Sequence, residues 1–129
     1  MYNIFITLEV VKFCINGLIA AAVHFFVLYI CINFFLIEYY GVSNSLGAIF
    51  GIISSFIGNR YFVFHKSKGN FLKQSLRFSL LYLVIAVNHG LFLYLWSDVL
   101  NKDYIIGFFL ITCFNTILSF LGNKYKVFK

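Results

Sequence analysis

Residues 13–37 read FCINGLIAAAVHFFVLYICINFFLI, from Phe13 to Ile37, without one Asp, Glu, Lys or Arg. A helix rises about 1.5 Å per residue, so about 20 apolar residues cross the hydrocarbon core of a bilayer. Three further uncharged runs follow, Tyr39–Asn59, Phe78–Ser97 and Tyr104–Asn123. The chain as a whole is 62% hydrophobic and 11% charged, against about 25% charged in soluble domains. A chain of 129 residues cannot bury that much apolar surface in its own core, so the surplus must face lipid. A strand reading fails, because apolar and polar residues do not alternate and four strands cannot close a membrane barrel. The expected fold is all-α and integral to the membrane, with four transmembrane helices in a single domain, residues 1–129.

The first run is expected to stay in the mature protein. No basic region precedes it, and it is longer than a signal core. Cys14, Cys31 and Cys113 are odd in number, lie inside the runs and form no CxxC pair, so they read as small buried apolar residues. No metal site and no cofactor is expected.

Charge sets the orientation. Lys12 precedes the first run, while Arg60, Lys66, Lys68, Lys73 and Arg77 flank the second loop and Lys124, Lys126 and Lys129 follow the fourth run. All of these fall on one side of a four-helix topology. The other side holds Lys102 with Glu38, Asp98 and Asp103. The positive-inside rule then places both termini in the cytoplasm. Tyr39, Tyr40, Trp96 and Tyr104 mark the outer ends of the spans, and Tyr61 and Tyr125 the inner ends, as interfacial aromatics do. The basic residues border membrane spans, which points to anionic headgroups rather than to nucleic acid.

Ser55-Phe56-Ile57-Gly58-Asn59-Arg60-Tyr61-Phe62-Val63-Phe64 recurs as Ser119-Phe120-Leu121-Gly122-Asn123-Lys124-Tyr125-Lys126-Val127-Phe128, seven of ten positions being identical. The odd runs match at a shift one residue longer: Lys12-Phe13 with Arg77-Phe78, His24 with His89, and Tyr29 with Tyr94. The unit is a two-helix hairpin used twice, about 1–66 and about 67–129. A hairpin returns to its starting side, so the copies run parallel, related by a pseudo-twofold axis along the membrane normal.

In lipid, close packing of small residues replaces the hydrophobic drive between helices. Helix two offers Gly47, Gly51, Ser54, Ser55 and Gly58. Helix one offers Gly17, Ala20 and Ala21 with His24 on that face, and helix four offers Thr112, Asn115, Ser119 and Gly122. These faces should point inward. Without proline, no break in the helices is expected.

Two polar constellations could carry function. His24, His89, Asn88 and Asn115 lie near the middle of their runs, where polar groups are costly and face the bundle interior or a wet cavity. They read as a polar path for a hydroxylated headgroup, as a proton relay, or as hydrogen-bonding glue between helices. Asn59-Arg60 and Asn123-Lys124, with Lys12 and Arg77, form a cationic ring at one membrane face. It suits a phosphate at headgroup depth, or orientation and snorkelling alone. No paired carboxylates, Ser-His-Asp set, Walker loop or metal spacing argues for an enzyme.

The chain resembles the GtrA-like family of small four-helix membrane proteins. The family pattern Phe-x-x-Asn-basic-x-aromatic-x-Phe is met by Phe56, Asn59, Arg60, Phe62 and Phe64, and by Phe120, Asn123, Lys124 and Phe128 with Lys126 in the aromatic place. The opening of helix one, basic-Phe with Gly four residues on, is met by Lys12, Phe13 and Gly17, whereas helix three has Arg77 and Phe78 but Tyr82 in place of Gly. The resemblance implies translocation of a polyprenyl-phosphate-linked monosaccharide, such as undecaprenyl-phosphate glucose, from the cytoplasmic to the outer leaflet of a bacterial cytoplasmic membrane. A membrane glycosyltransferase then uses the sugar for polysaccharide or teichoic acid modification. The alternatives are a small multidrug-type transporter, for which an embedded carboxylate is missing, and a non-transporting scaffold for a glycosyltransferase. Four short helices make a thin wall around a headgroup, which leaves room for a homo-oligomer.

Overall fold

The computed structural model describes residues 2–129. Among them, four helices run α1 Tyr2–Asn33, α2 Tyr40–Gly58, α3 Phe71–Leu93 and α4 Tyr104–Gly122. Each is long and apolar enough to cross a membrane, and the protein is an all-α integral membrane protein with four transmembrane helices. Only 6–22% of the most apolar stretch of each span is buried. Leu18 and Phe25 are more than 70% exposed, so lipid must cover them.

Three spans close or continue in a π turn, at Asn59–Val63, Tyr94–Val99 and Asn123–Val127. The expectation of plain helices therefore changes at these ends. Proline is one route to an irregular helix, and an i→i+5 hydrogen bond is another that leaves no mark in composition. The charged residues also sit differently from expectation. Lys12 and Glu9 lie within α1, and Lys73 and Arg77 lie within α3. An uncharged run marks the apolar core of a span, but its helix continues into the interface, where long basic side chains snorkel. Cys14 and Cys113 are exposed on their helices and only Cys31 is buried, which corrects the reading of all three as buried. The side chain of Tyr40 lies outside the described residues.

The chain divides into two compact units, Met1–Lys66 and Ser67–Lys129. In the first, α1 and α2 pack antiparallel. A Cβ on Gly47 would lie 2.8 Å from His24 O, and one on Gly51 would lie 3.2 Å from Ala20 O. These glycines let the helix backbones touch, as in small-residue membrane packing, so the Gly47/Gly51 face is used inside the hairpin. At Gly17 and Gly41 nothing lies within 4 Å of where a Cβ would stand, so Gly17 takes no part in that contact. The buried face of α2 runs Ser43, Gly47, Gly51, Ser55 and on to Asn59 and Val63.

In the second unit, α3 begins at Asn70, whose Oδ1 accepts from the backbone N–H of Leu72 at 2.9 Å and of Lys73 at 3.2 Å. Asp103 caps α4 in the same way, accepting from Ile105 N–H at 2.8 Å and Ile106 N–H at 3.3 Å. Each cap satisfies two of the orphan donors at a helix start. The buried face of α4 runs Gly107, Ile111, Asn115 and Ser119, continuing to Asn123 and Val127. Gly107 leaves room for the Trp96 ring, whose Nε1 donates to Asp103 O at 2.9 Å. Trp96 thus closes the α3–α4 turn as well as marking a span end.

Candidate functional site

In the first unit, the chain does not leave helical form at Gly58. Asn59 opens the π turn, closed by Phe64 N–H donating to Asn59 O at 2.8 Å. Asn59 is completely buried. Its Nδ2 donates to Ser55 Oγ at 3.4 Å, and its Oδ1 has no hydrogen-bond partner. Asn16 of α1, itself buried, donates from Nδ2 to Ser55 O at 3.0 Å. It packs so closely on Gly58 that any Cβ there would collide with Asn16 Oδ1. The cations lie outside this core. Lys12 Nζ is 5.4 Å from the centre of the Phe62 ring, and the Arg60 guanidinium is 5.5 Å from that of Tyr61. Aromatic faces guide the basic stems while leaving their heads near the helix end.

The second unit builds its corresponding end with other residues. Asn123 is completely buried, its Nδ2 donates to Ser119 O at 2.8 Å, and its Oδ1 is again unpartnered. Phe128 N–H closes the π turn onto Asn123 O at 2.9 Å. Ser119 Oγ donates to the Tyr82 hydroxyl at 3.0 Å, and Tyr82 stacks on Phe78 with ring centres 4.3 Å apart. Lys124 Nζ lies 5.8 Å from the Phe120 ring and 5.9 Å from Tyr125. Arg77 is exposed and donates from Nη1 to Lys126 O at 3.3 Å, a favourable place for a cation beside the carbonyl end of a helix.

The four cations, Lys12, Arg60, Arg77 and Lys124, therefore reach hairpin ends. Asn59 and Asn123 do not reach the surface. Their amides turn inward to the serine one turn earlier, at the start of the turns from which Arg60 and Lys124 project.

Nearer the middle of the spans, His24 Nε2 is 3.0 Å from Asn44 Oδ1, with its ring against Gly47 and its Cβ against Gly51. In the second unit, Asn88 Nδ2 donates to Asn115 Oδ1 at 2.9 Å. Asn115 Nδ2 lies 3.4 Å from His89 Nδ1, and the His89 ring meets Phe108 edge-on at 5.4 Å. Asn88, Asn115 and His89 are thus brought together, while His24 has its own partner. Sequence reasoning passed over Asn44, Asn16 and the role of Tyr82. Asn44 shares a helical face with Gly47 and Gly51, and Asn16 is an amide inside an uncharged run, so both carried a usable signal. Among the described residues no group of three His, Cys, Asp or Glu gathers around a metal-sized space.

Residues 12–128 match the family described as GtrA/DPMS, transmembrane domain. The chain belongs to the GtrA/DPMS transmembrane-domain family. No match was found among curated proteins or among solved structures. Membership makes this GtrA/DPMS protein a multi-pass membrane protein of glycosylation-related, lipid-linked sugar processes. The matched region takes in both hairpin ends, from Lys12 to Phe128, and so every cation and amide described above.

Proposed function

We propose that this GtrA/DPMS-family protein carries a polyprenyl-phosphate-linked monosaccharide from the cytoplasmic to the outer leaflet, with both termini in the cytoplasm. The observation that carries the reading is the pair of hairpin ends that gather cations, Lys12 and Arg60 beside aromatic rings in the first, Lys124 beside rings and Arg77 on a helix-end carbonyl in the second. A phosphate entering a bilayer loses its water, and fixed cations offset part of that loss. The sugar hydroxyls would next meet the polar group of a hairpin, His24–Asn44 in the first or Asn88–Asn115–His89 in the second, which supplies hydrogen bonds where lipid has none. The prenyl chain stays in lipid along the exposed apolar faces. No bond is made or broken in this step, and an outer-leaflet glycosyltransferase would consume the product.

The test is reconstitution in liposomes with a labelled prenyl-phosphate sugar and an impermeant reagent that reads the outer leaflet. Arg60→Ala and Lys124→Ala are expected to slow transfer by about tenfold each, the loss of one charge-assisted contact. Arg60→Lys should retain more activity than Arg60→Ala. Wild-type transfer no faster than in empty liposomes would remove the proposal.

A further inference from the structure

The second unit holds a groove of about 450 Å³, lined by Asn88, Phe92 and Trp96 of the α3 arm of the hairpin and by Leu110, Ile111 and Phe114 of α4. Its size is in the range of small-molecule sites, roughly 300–1,000 Å³. Asn88, Phe92 and Trp96 stand one turn apart, so the groove runs roughly 12 Å from mid-span toward the α3–α4 turn. That end lies opposite the cations of the same hairpin.

The lining is not uniform. Phe92 and Trp96 stack with ring centres 5.6 Å apart and planes 17° apart, and Trp96 is pinned by its bond to Asp103 O. Asn88 is the one polar liner. It donates one amide hydrogen to Asn115 Oδ1, and Asn115 is tied in turn to His89. The chain of bonds orients Asn88, a groove liner, and leaves its carbonyl oxygen and second N–H without another hydrogen-bond partner among the described residues. A lipid tail would leave those groups unmatched, which is costly in hydrocarbon. A polyhydroxylated ring satisfies both halves of the lining, its C–H face lying on aromatic surface and its hydroxyls meeting the amide.

We infer that this groove is a subsite for the sugar ring of the lipid, occupied in the outer half of the membrane. The inference rests on the translocation reading and adds a location and an asymmetry to it. Asn115 stands where the first hairpin has Gly51, and Phe108 where it has Asn44, so the sugar subsite belongs to the second hairpin.

Trp96 is the sole tryptophan and reports on the groove directly. The full-length protein in nanodiscs would be titrated with farnesyl-phosphate glucose and with farnesyl phosphate, following Trp96 fluorescence and, separately, binding of the radiolabelled probes. The expected result is a saturable fluorescence change with the glycosylated probe alone. Asn88→Ala should weaken its binding by about tenfold, the loss of a hydrogen bond from a dry site. Phe92→Leu, which keeps apolar volume and loses the ring face, should weaken it too. Equal fluorescence responses to both probes would overturn the inference in favour of the prenyl chain as occupant. Radiolabelled glucose probe that binds wild type, Asn88→Ala and Phe92→Leu equally would place the sugar elsewhere, overturning the subsite while leaving translocation standing. Binding of neither probe would take away the underlying reading as well.

Discussion

At Gly47, the space that a methyl group would need is already filled by His24, whose backbone oxygen is 2.8 Å from the Cβ position. A backbone atom cannot rotate away, so Gly47→Ala must push α1 and α2 apart. The expected loss is about 1–3 kcal/mol, as for overpacking elsewhere, measured by thermal unfolding in detergent. Gly17→Ala is the matched control. Nothing lies within 4 Å of its Cβ position, so it should be neutral or stabilising by up to about 1 kcal/mol. Gly122→Ala falls between them, because the obstructing atoms at 2.7 Å are the methyl ends of Leu81, which can turn. Of these contacts, the sequence displayed the GxxxG step and the inward place of His24, since both follow from helical spacing alone. It could not display that Gly17 is idle, because spacing identifies a face of a helix but not the depth to which a neighbour fills it.

Along α2 and its π turn, the buried positions recur every fourth residue, at Ser43, Gly47, Gly51, Ser55, Asn59 and Val63. In an α-helix such a row drifts by roughly 40° per step, and rows of this kind are the ridges used in close small-residue crossings. A π turn holds more residues per turn, so from Asn59 onward the drift lessens and Val63 stays on the buried face. The same row appears in the second hairpin from Gly107 to Val127. Asn59 and Asn123 stand where the helix changes pitch, each with a buried carbonyl oxygen that has no hydrogen-bond partner among the described residues. An unmatched buried acceptor costs about 1–3 kcal/mol. Asn59→Leu, close in shape and without the polar atoms, is therefore expected to leave the unfolding midpoint unchanged or raise it. A marked fall would show that the amide stabilises the turn. The helices and the cationic ends were legible because long uncharged runs and basic clusters survive any detail of packing. The inward turn of the two asparagines was not, since an amide beside a cation in sequence looks the same whether it faces lipid headgroups or a serine.

For the whole molecule, surface decides more than core. The exposed apolar side chains extend along every span, and a chain of this kind is stable only with hydrocarbon around it. The proposed orientation yields a direct check. In a background with Cys14, Cys31 and Cys113 replaced by Ala, His65→Cys should react with a membrane-impermeant maleimide only in inverted vesicles. Lys102→Cys should react only from outside intact cells. Reaction of both from one side would contradict a four-span topology. One further property follows from the division at Lys66 and Ser67. Each hairpin carries its own helix contacts and polar pairs, so the first has those partners in hand once residue 66 has left the ribosome. Synthesis can then proceed as two successive insertion events, and two separately encoded halves should each reach the membrane as a finished pair of helices.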